Sequence, residues 1–214
     1  MGAGLLERGY IVVEGPIGAG KTSLARRLAE RLDATLVLEG AEANPFLPRF
    51  YREPARFALA TQLFFLFQRV EQVRALAQRD LFARPVVADF VLDKDPLFAR
   101  LTLGDDEFRL YQQIYAALEP QRPSPDLVIY LQAPVDVLLE RVRSRGIDYE
   151  RAIDRDYLVR LSEAYAQYFY HYQASPLMIV NSAHIDFVNQ PADLDLLLAR
   201  LPQVRGREFL NRGE

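Results

Sequence analysis

Short runs of apolar, mostly β-branched residues alternate along the chain with longer segments in which apolar residues recur every three or four positions. The short runs are residues 10–13, 35–38, 85–89, 127–131 and 177–180. They predict buried strands, because a strand covered on both faces of a sheet needs no polar positions. The longer segments predict amphipathic helices, at 24–32, 54–79, 107–118, 135–143, 153–172 and 194–201. This alternation predicts an α/β fold, with a mostly parallel sheet flanked by helices.

The segments between these elements are rich in turn-forming residues. Three prolines between Gly40 and Pro54 predict loop or short helical turns there, and a proline cluster at 120–125 ends a helix. We expect residues 1–202 to form a single domain. The remaining residues, 203–214, are mainly polar, and we expect them to form a frayed tail.

Composition narrows the class of protein. The chain has 214 residues, 50% apolar and 26% charged, as in an average globular protein. The chain has no cysteine, which excludes disulfides, thiolate metal sites and a cysteine nucleophile. Its net charge of −3 argues against non-specific binding of nucleic acid. No apolar run approaches the roughly 20 residues of a membrane helix, and the N-terminal residues lack the order of a signal peptide. We therefore expect a cytoplasmic protein without a nucleic-acid or membrane partner.

A phosphate-binding loop is predicted where the first strand meets the first helix. Residues 15–22 read Gly-Pro-Ile-Gly-Ala-Gly-Lys-Thr and fit the pattern G-x-x-x-x-G-K-[ST]. In such a loop backbone N–H groups approach the phosphate oxygens, and the following helix adds its positive dipole end. Lys21 supplies a mobile charge for the outer phosphates, and Thr22 a hydroxyl ligand for Mg²⁺. The predicted nucleotide contacts are Gly15, Gly18, Ala19, Gly20, Lys21, Thr22 and Ser23.

What accompanies the loop indicates the class of phosphate-loop protein. The sequence has no Asn-Lys-x-Asp segment for reading guanine, and Asp89 is followed by Phe90 rather than by the second acid that activates water in motor ATPases. A small phosphotransferase needs only a carboxylate for the acceptor hydroxyl and mobile arginines that close over the phosphates. The Arg-rich segment 141–152, broken by Gly146, suits such a lid. A solvated helix face is the alternative interpretation of these arginines.

Further blocks carry a resemblance to a known family. They are Glu39 at the end of the second strand, the segment 50–54 followed by Gln62 and Arg69, the block 89–95, and the arginines of the lid. With the phosphate loop, these residues resemble the deoxynucleoside kinases of the deoxycytidine, deoxyguanosine and deoxyadenosine type over nearly the whole chain. The resemblance implies a P-loop kinase fold and transfer of phosphate from ATP, with Mg²⁺, to the 5′-hydroxyl of a deoxynucleoside. It also implies a homodimer, for which the long helix at 54–79 is a candidate contact.

The resemblance implies roles on the acceptor side of the site. Glu39 would be the general base that accepts the proton of the sugar 5′-hydroxyl. Tyr51 and Glu150 would bond the sugar 3′-hydroxyl, and Gln62 would bond the base edge. Arg69, two helical turns after Gln62, would select the base together with a paired acid. The implied substrate-binding residues are Glu39, Tyr51, Gln62, Arg69, Asp89, Asp95 and Glu150.

Roles on the phosphate-donor side follow in the same way. Arg141 and Arg145 would share one helix face and neutralise the phosphates. Asp186 and Phe187 would hold the nucleotide base. The implied catalytic residues are Lys21, Glu39, Arg141 and Arg145, and the implied Mg²⁺ ligands are Thr22 and Asp89.

Two positions depart from the family pattern. Glu39 is followed by Gly40 where the family has proline, and Phe90 stands where the family has an arginine that positions the 5′-hydroxyl. Lys94 could reach back and replace that arginine, although lysine lacks the planar fork of a guanidinium. The departure at position 90 leaves open a regulatory or partner subunit that binds nucleotides with little turnover.

A nucleoside monophosphate kinase is a further alternative. Such an enzyme needs arginines in the acceptor pocket to hold the phosphate of its substrate. Arg49, Arg52 and Arg56 are candidates for that contact.

Overall fold

Parallel strands form one sheet, which confirms the predicted α/β class. The computed structural model describes residues 6–7, 9–78, 84–118 and 123–211. Six strands of this part of the chain pair in the order β2-β3-β1-β4-β5-β6. They are β1 (Tyr10–Glu14), β2 (Thr35–Val37), β3 (Val86–Ala88), β4 (Leu127–Gln132), β5 (Leu177–Asn181) and β6 (Arg207–Leu210).

Helices follow the strands as the periodicity predicts. The α-helices of the described segments are α1 (Lys21–Leu32), α2 (Leu47–Phe50), α3 (Pro54–Ala77), α4 (Asp95–Thr102), α5 (Asp105–Leu118), α6 (Val135–Arg145), α7 (Arg155–His171) and α8 (Pro191–Arg200). Short 3₁₀ helices lie at Ala41–Ala43, Leu92–Lys94, Asp148–Ala152 and Leu201–Gln203. The prolines at 45–54 thus coincide with short helical turns and the start of α3. No helix within the described ranges is long and apolar enough to cross a membrane.

The topology indicates which end of the sheet binds a ligand. Val12 of β1 pairs with Ala88 of β3 on one side and with Val128 of β4 on the other. The strand order reverses around β1, and in open parallel sheets ligands bind beyond the carboxyl ends of the strands at such a point. The phosphate loop, Glu39 and Asp89 follow the carboxyl ends of β1, β2 and β3.

Two regions differ from the sequence prediction. The expected frayed tail is wrong for residues 207–210, which form β6 and pair with β5 from Leu177↔Arg207 to Val180↔Leu210. In β6, exposed residues alternate with more buried ones, as in an edge strand that buries only one face. The helix α4 had no predicted counterpart, although its Pro96 suits a helix start. Arg79 and Pro120, expected to bound two helices, and residues 212–214 of the tail lie outside the described residues.

Candidate active site

The phosphate loop connects β1 to α1 and leaves the start of that helix open. Gly20 is the N-cap, and no side-chain cap hydrogen bond is made there within the described part of the chain. The first N–H groups of a helix have no partner inside the helix, so they can bind an anion here. Lys21 folds back over the loop, and its Nζ donates to the carbonyl oxygens of Gly15 at 2.8 Å and Pro16 at 3.2 Å. Burial lowers the pKa of Lys21 to about 8, and the nearby ammonium of Lys94 acts in the same direction. An anionic phosphate would favour the charged form of this lysine.

Asp89 links the phosphate loop to the end of β2. Its Oδ2 accepts a hydrogen bond from the Thr22 hydroxyl at 2.5 Å, and its Oδ1 accepts from the backbone N–H of Glu39 at 2.7 Å. The side chain is almost completely buried. Thr22 and Asp89 thus bring two hard oxygen ligands together beside the loop, which is the ligand type that Mg²⁺ prefers. No cluster of three His, Cys, Asp or Glu side chains within the described ranges could hold a metal. A cation bound here would therefore take its other ligands from phosphates and water.

The segment that carries Glu39 takes a path that excludes the family's proline. Gly40 has φ 65°, in the left-handed region, whereas proline is fixed near −65°. Two glutamines of α3 hold this segment through its carbonyl groups. Gln68 Nε2 donates to Glu39 O at 2.8 Å, and Gln72 Nε2 donates to Leu38 O at 2.7 Å. The substitution at position 40 therefore belongs to a defined local conformation.

Five charged side chains of alternating sign form a continuous row beneath the cleft, which we call the charge row. They are, in spatial order, Glu14, Lys94, Glu39, Arg69 and Asp95. Lys94 Nζ lies 2.9 Å from Glu14 Oε1 and 3.2 Å from Glu39 Oε1, and Arg69 pairs with Glu39 and Asp95. The Arg69–Asp95 pair implied by the resemblance is thus present. Buried charges of this kind require such partners, because an isolated one costs several kcal/mol.

Burial changes the acid–base properties of the charge row. Burial lowers the pKa of Lys94, against the attraction of Glu14. Burial also raises the pKa of Asp95 to about 6, against the attraction of Arg69. The row therefore contains groups that hold their charges only through their neighbours.

The predicted sugar and base contacts all line the cleft. The ring of Tyr51 stacks on Tyr149 with centroids 6.0 Å apart, next to the 3₁₀ turn that carries Glu150. Burial raises the pKa of the Glu150 carboxyl, opposed by Arg145. Gln62 lies on α3, and its Nε2 donates to Thr102 Oγ1 at 3.1 Å, so its amide is oriented before any ligand binds.

The lid arginines are tied to neighbouring elements. Arg141 donates to the Oγ of Ser182 at 3.2 Å and to its carbonyl oxygen at 2.6 Å. Arg145 Nε lies 3.4 Å from Glu150 Oε2. Both arginines line the cleft from one helix, but here each contacts a protein group where the prediction has them pointing at phosphates. Gly146 ends α6 in the left-handed conformation that a helix C-cap commonly adopts.

Hydrogen bonds around Asp186 define the conformation of the loop after β5. Its Oδ1 accepts from the N–H groups of Val188 and Asn189, both at 3.0 Å, and its own N–H donates to Asp193 Oδ2 at 2.8 Å. The hydrogen bonds from Asn189 hold the pKa of Asp186 below its usual value. Asp186 therefore shapes the loop, and the adjacent Phe187 presents its ring at the cleft.

Nearly all the predicted site residues meet in one cleft with a volume of about 970 Å³. Gly15 and Asp95 are the two that do not line it. Each contacts a residue that does, Gly15 through Lys21 and Asp95 through Arg69. This size is typical of a small-molecule site. The candidate contacts for the monophosphate alternative do not line the cleft. Arg49 and Arg56 lie against the Phe57 ring instead.

Sequence reasoning missed three contributors to the site. Glu14 is fully buried at the end of β1, where an acid after an apolar run was its only signal. Ser182 receives Arg141, and Tyr165 donates to Glu14 Oε2 at 3.0 Å. The last two are separated from their partners by 41 and 151 residues, so no local pattern could indicate them.

Comparisons with known sequences point to one family. The profile of the deoxynucleoside kinase family matches residues 11–204. The deoxyguanosine kinase of Bacillus subtilis is 32% identical over 200 residues, which cover 91% of this chain and 97% of that enzyme. The deoxyadenosine kinase of Lactobacillus acidophilus is 32% identical over 202 residues, covering 87% and 92% of the two chains.

Comparison with solved structures agrees on the fold. The deoxyadenosine kinase of M. mycoides with bound dATP superposes with a TM-score of 0.78. The superposition covers 90% of this chain and 98% of that one, at 22% identity. The same enzyme with bound dCTP gives a TM-score of 0.75.

Proposed function

The chain belongs to the deoxynucleoside kinase family and is a phosphotransferase, and we propose that it transfers the γ-phosphoryl group of ATP to the 5′-hydroxyl of a deoxynucleoside. One observation carries this proposal: the phosphate loop and the carboxylate of Glu39 open into the same cleft. The acceptor is deoxyadenosine, deoxyguanosine or deoxycytidine. The names of the relatives and the Arg69–Asp95 pair support that set of bases.

On the donor side, the free N–H groups at the start of α1 and the ammonium of Lys21 bind the phosphates. Arg141 and Arg145 turn from their present partners toward the phosphates when the lid segment 141–152 closes. Phe187 lies against the adenine, held by the loop that Asp186 shapes. The remaining donor contacts are Gly15, Gly18, Ala19, Gly20, Thr22 and Ser23.

Mg²⁺ fits the site through Thr22 and Asp89, whose oxygens already lie side by side. When bound, the cation supplies positive charge that neutralises phosphate oxygens. The chain holds these two ligands in place from separate elements, α1 and the end of β3.

On the acceptor side, Glu39 accepts the proton of the 5′-hydroxyl as that oxygen attacks. Tyr51 and Glu150 bond the 3′-hydroxyl and hold the sugar in line with the donor. Gln62 bonds the base edge with its oriented amide. Because the transition state of phosphoryl transfer is loose, these residues contribute by positioning the two substrates and by neutralising the charge of the phosphates.

A homodimer is the assembly we propose, through the outer face of α3 and α5. Phe67 of α3 is 49% exposed and Leu110 of α5 is 46% exposed, so a contact between two copies that covers both would remove apolar surface from water. The wild-type protein should sediment as a dimer, and the double variant Phe67→Glu/Leu110→Glu as a monomer. A wild-type monomer at micromolar concentration would contradict this assembly.

The experiment that tests the function measures phosphate transfer from ATP and Mg²⁺ to each deoxynucleoside, with identification of the 5′-monophosphate. Glu39→Gln should lower kcat by about 10²–10⁴-fold, the usual contribution of a general base. Glu53→Gln is the matched control, because Glu53 is an exposed carboxylate outside the cleft. Binding of nucleosides without transfer to any of them would favour the regulatory subunit. Transfer to deoxynucleoside monophosphates alone would favour the monophosphate kinase.

A further inference from the structure

Lysine is rare in this chain, and both lysines lie in the cleft. Of the 26 lysine and arginine residues, only Lys21 and Lys94 are lysine. Both line the cleft. Lys21 belongs to the phosphate loop, whereas Lys94 has no place yet in the proposed mechanism. The chain uses arginine at every other basic position, so the lysine at 94 indicates a site that suits a compact ammonium.

The geometry around Lys94 explains that choice. Its ammonium fits between two carboxylates from different elements, 2.9 Å from Glu14 Oε1 and 3.2 Å from Glu39 Oε1. Only 2% of the side chain is exposed. An ammonium has three donors that rotate about one point, whereas a guanidinium presents a flat fork that needs more width.

Glu14 anchors the ammonium from the side of the phosphate loop. Its Oε2 accepts the N–H of Gly15 at 2.9 Å and the hydroxyl of Tyr165 at 3.0 Å. Its Oε1 accepts the N–H of Val91 at 3.1 Å in addition to the ammonium. These bonds fix the Glu14 carboxylate next to the phosphate loop. Because Lys94 contacts both Glu14 and Glu39, it holds Glu39 at a fixed position relative to that loop.

Among the residues that the structure describes, both cations that hold Glu39 contact the same oxygen. Lys94 and Arg69 both contact Oε1, and neither of these contacts uses Oε2. The Glu39 side chain is 18% exposed, in contrast to the two cations behind it. Oε2 is therefore left to face the cleft, where the acceptor hydroxyl would lie.

The family's cation is absent from its usual position. The resemblance places an arginine at position 90, but Phe90 is fully buried in the core. Of the two cations at Glu39, Arg69 also pairs with Asp95 and so belongs to the base end of the pocket. Lys94 is the cation on the side of the phosphate loop.

We propose that Lys94 is the positioning residue of the general base: it grips Oε1 of Glu39 against the anchored carboxylate of Glu14 and so aims Oε2 at the acceptor hydroxyl. It supplies from position 94 the positive charge that the family pattern supplies from position 90. This proposal rests on the proposed function, in which Glu39 is the base. Lys94 acts through Glu39 and does not touch the reacting atoms.

The first test is the kinetics of Lys94→Met. We expect kcat to fall about a hundredfold, within the range of a lost general base, while KM for ATP and for the deoxynucleoside stays within about threefold. Binding is retained because the phosphate loop and the base pocket keep their own contacts. A folded variant with kcat within threefold of wild type overturns the proposal. So does a fall in kcat accompanied by a matching rise in both KM values, since that pattern is general disruption of the site.

Tyr172→Phe is the matched control for loss of a tyrosine hydrogen bond outside the cleft. It removes the hydrogen bond between the Tyr172 hydroxyl and Ser175 Oγ, and Tyr172 does not line the cleft. We expect its kcat to stay within about threefold of wild type even where its melting temperature falls. A loss as large as that of Lys94→Met would show that general destabilisation is enough to lower kcat, and would overturn the specific role of Lys94.

The second test does not require Lys94→Met to fold. Protein grown with ¹³Cε-labelled lysine should give two side-chain NMR signals, assigned by Lys21→Arg, which removes one of them. Introducing Glu39→Gln should shift the Lys94 signal by several tenths of a part per million in ¹³C and leave the Lys21 signal nearly unchanged. An unmoved Lys94 signal shows that the ammonium does not contact Glu39, and overturns the proposal.

Failure of this proposal is distinguishable from failure of the proposed function. If the wild-type protein transfers phosphate, and Glu39→Gln does not, the function stands whatever Lys94→Met does. If the wild-type protein transfers nothing, the function fails, and the role of Lys94 as a positioning residue fails with it.

Discussion

The hydroxyl of Thr22 donates to Oδ2 of Asp89 across 2.5 Å, and the other oxygen of the same carboxylate accepts the backbone N–H of Glu39. One buried carboxylate therefore contacts both the phosphate loop and the segment that carries Glu39, the proposed general base. Asp89→Asn keeps the shape of this contact but removes its charge. We expect the Mg²⁺ concentration for half-maximal rate to rise about tenfold, as is typical for loss of one interaction at a metal site.

The measurement is the initial rate against Mg²⁺ concentration at saturating ATP. Asp106→Asn serves as the control, because Asp106 is an exposed carboxylate of α5 that does not line the cleft. An unchanged Mg²⁺ dependence for Asp89→Asn would contradict the proposal that Asp89 binds the cation.

Asp95 makes stability depend on pH in a direction that is unusual for a carboxyl group. Burial raises its pKa from 3.8 to about 6, so between these values the native state holds a proton that the unfolded state has lost. Its contribution to stability is thus full below pH 4 and is lost as pH rises through 6. Relative to Asp95→Asn, the free energy of unfolding of the wild type should fall by about 2 kcal/mol between pH 4 and 6.5.

Urea unfolding of both proteins at several pH values in this window measures that difference. Comparison with the asparagine variant cancels the carboxyl groups that the two proteins share. A difference that stays constant with pH would mean that Arg69 holds Asp95 ionised throughout.

Strands were predictable where both faces are buried. The run 127–131 became β4, Leu127–Gln132, because a central strand is apolar at successive positions. The edge strand β6 has only one face to bury, and its exposed Arg207 and Phe209 gave no apolar run. Its pairing with β5 depends on residues 30 positions away in the register.

The site was predictable where its chemistry is local in sequence. The spacing of Gly15–Thr22 indicates the phosphate loop without knowledge of the fold. The contact of Glu14 with Lys94 is different, because it joins residues from two elements that only the fold brings together. An acid at the end of an apolar run has the same sequence pattern whether its carboxylate pairs with a cation or accepts backbone N–H groups of a loop.

Placing the family's proline after Glu39, at position 40, should destabilise this protein. Gly40 has φ 65°, which proline cannot adopt, while Gly40→Ala meets only the flexible end of Gln68, at 3.2 Å. We expect Gly40→Ala to cost about 1 kcal/mol, for left-handed backbone, and Gly40→Pro about 2–3 kcal/mol more, because the backbone must change its path. Equal unfolding midpoints for the two variants in urea would show that the segment 38–40 adapts freely to either residue.

Tyr51 and Glu150 should together distinguish a sugar with a 3′-hydroxyl from one without it. Loss of a neutral hydrogen bond in Tyr51→Phe should lower kcat/KM for the deoxynucleoside about tenfold, and loss of the charge in Glu150→Gln up to about a hundredfold. For the matching 2′,3′-dideoxynucleoside, which cannot form these bonds, kcat/KM should change less than about twofold. Tyr170→Phe, at a tyrosine that is 71% exposed, controls for loss of a phenol elsewhere. If both acceptors lost activity by the same factor, the two residues would support the cleft through the Tyr51–Tyr149 stack and would not read the sugar.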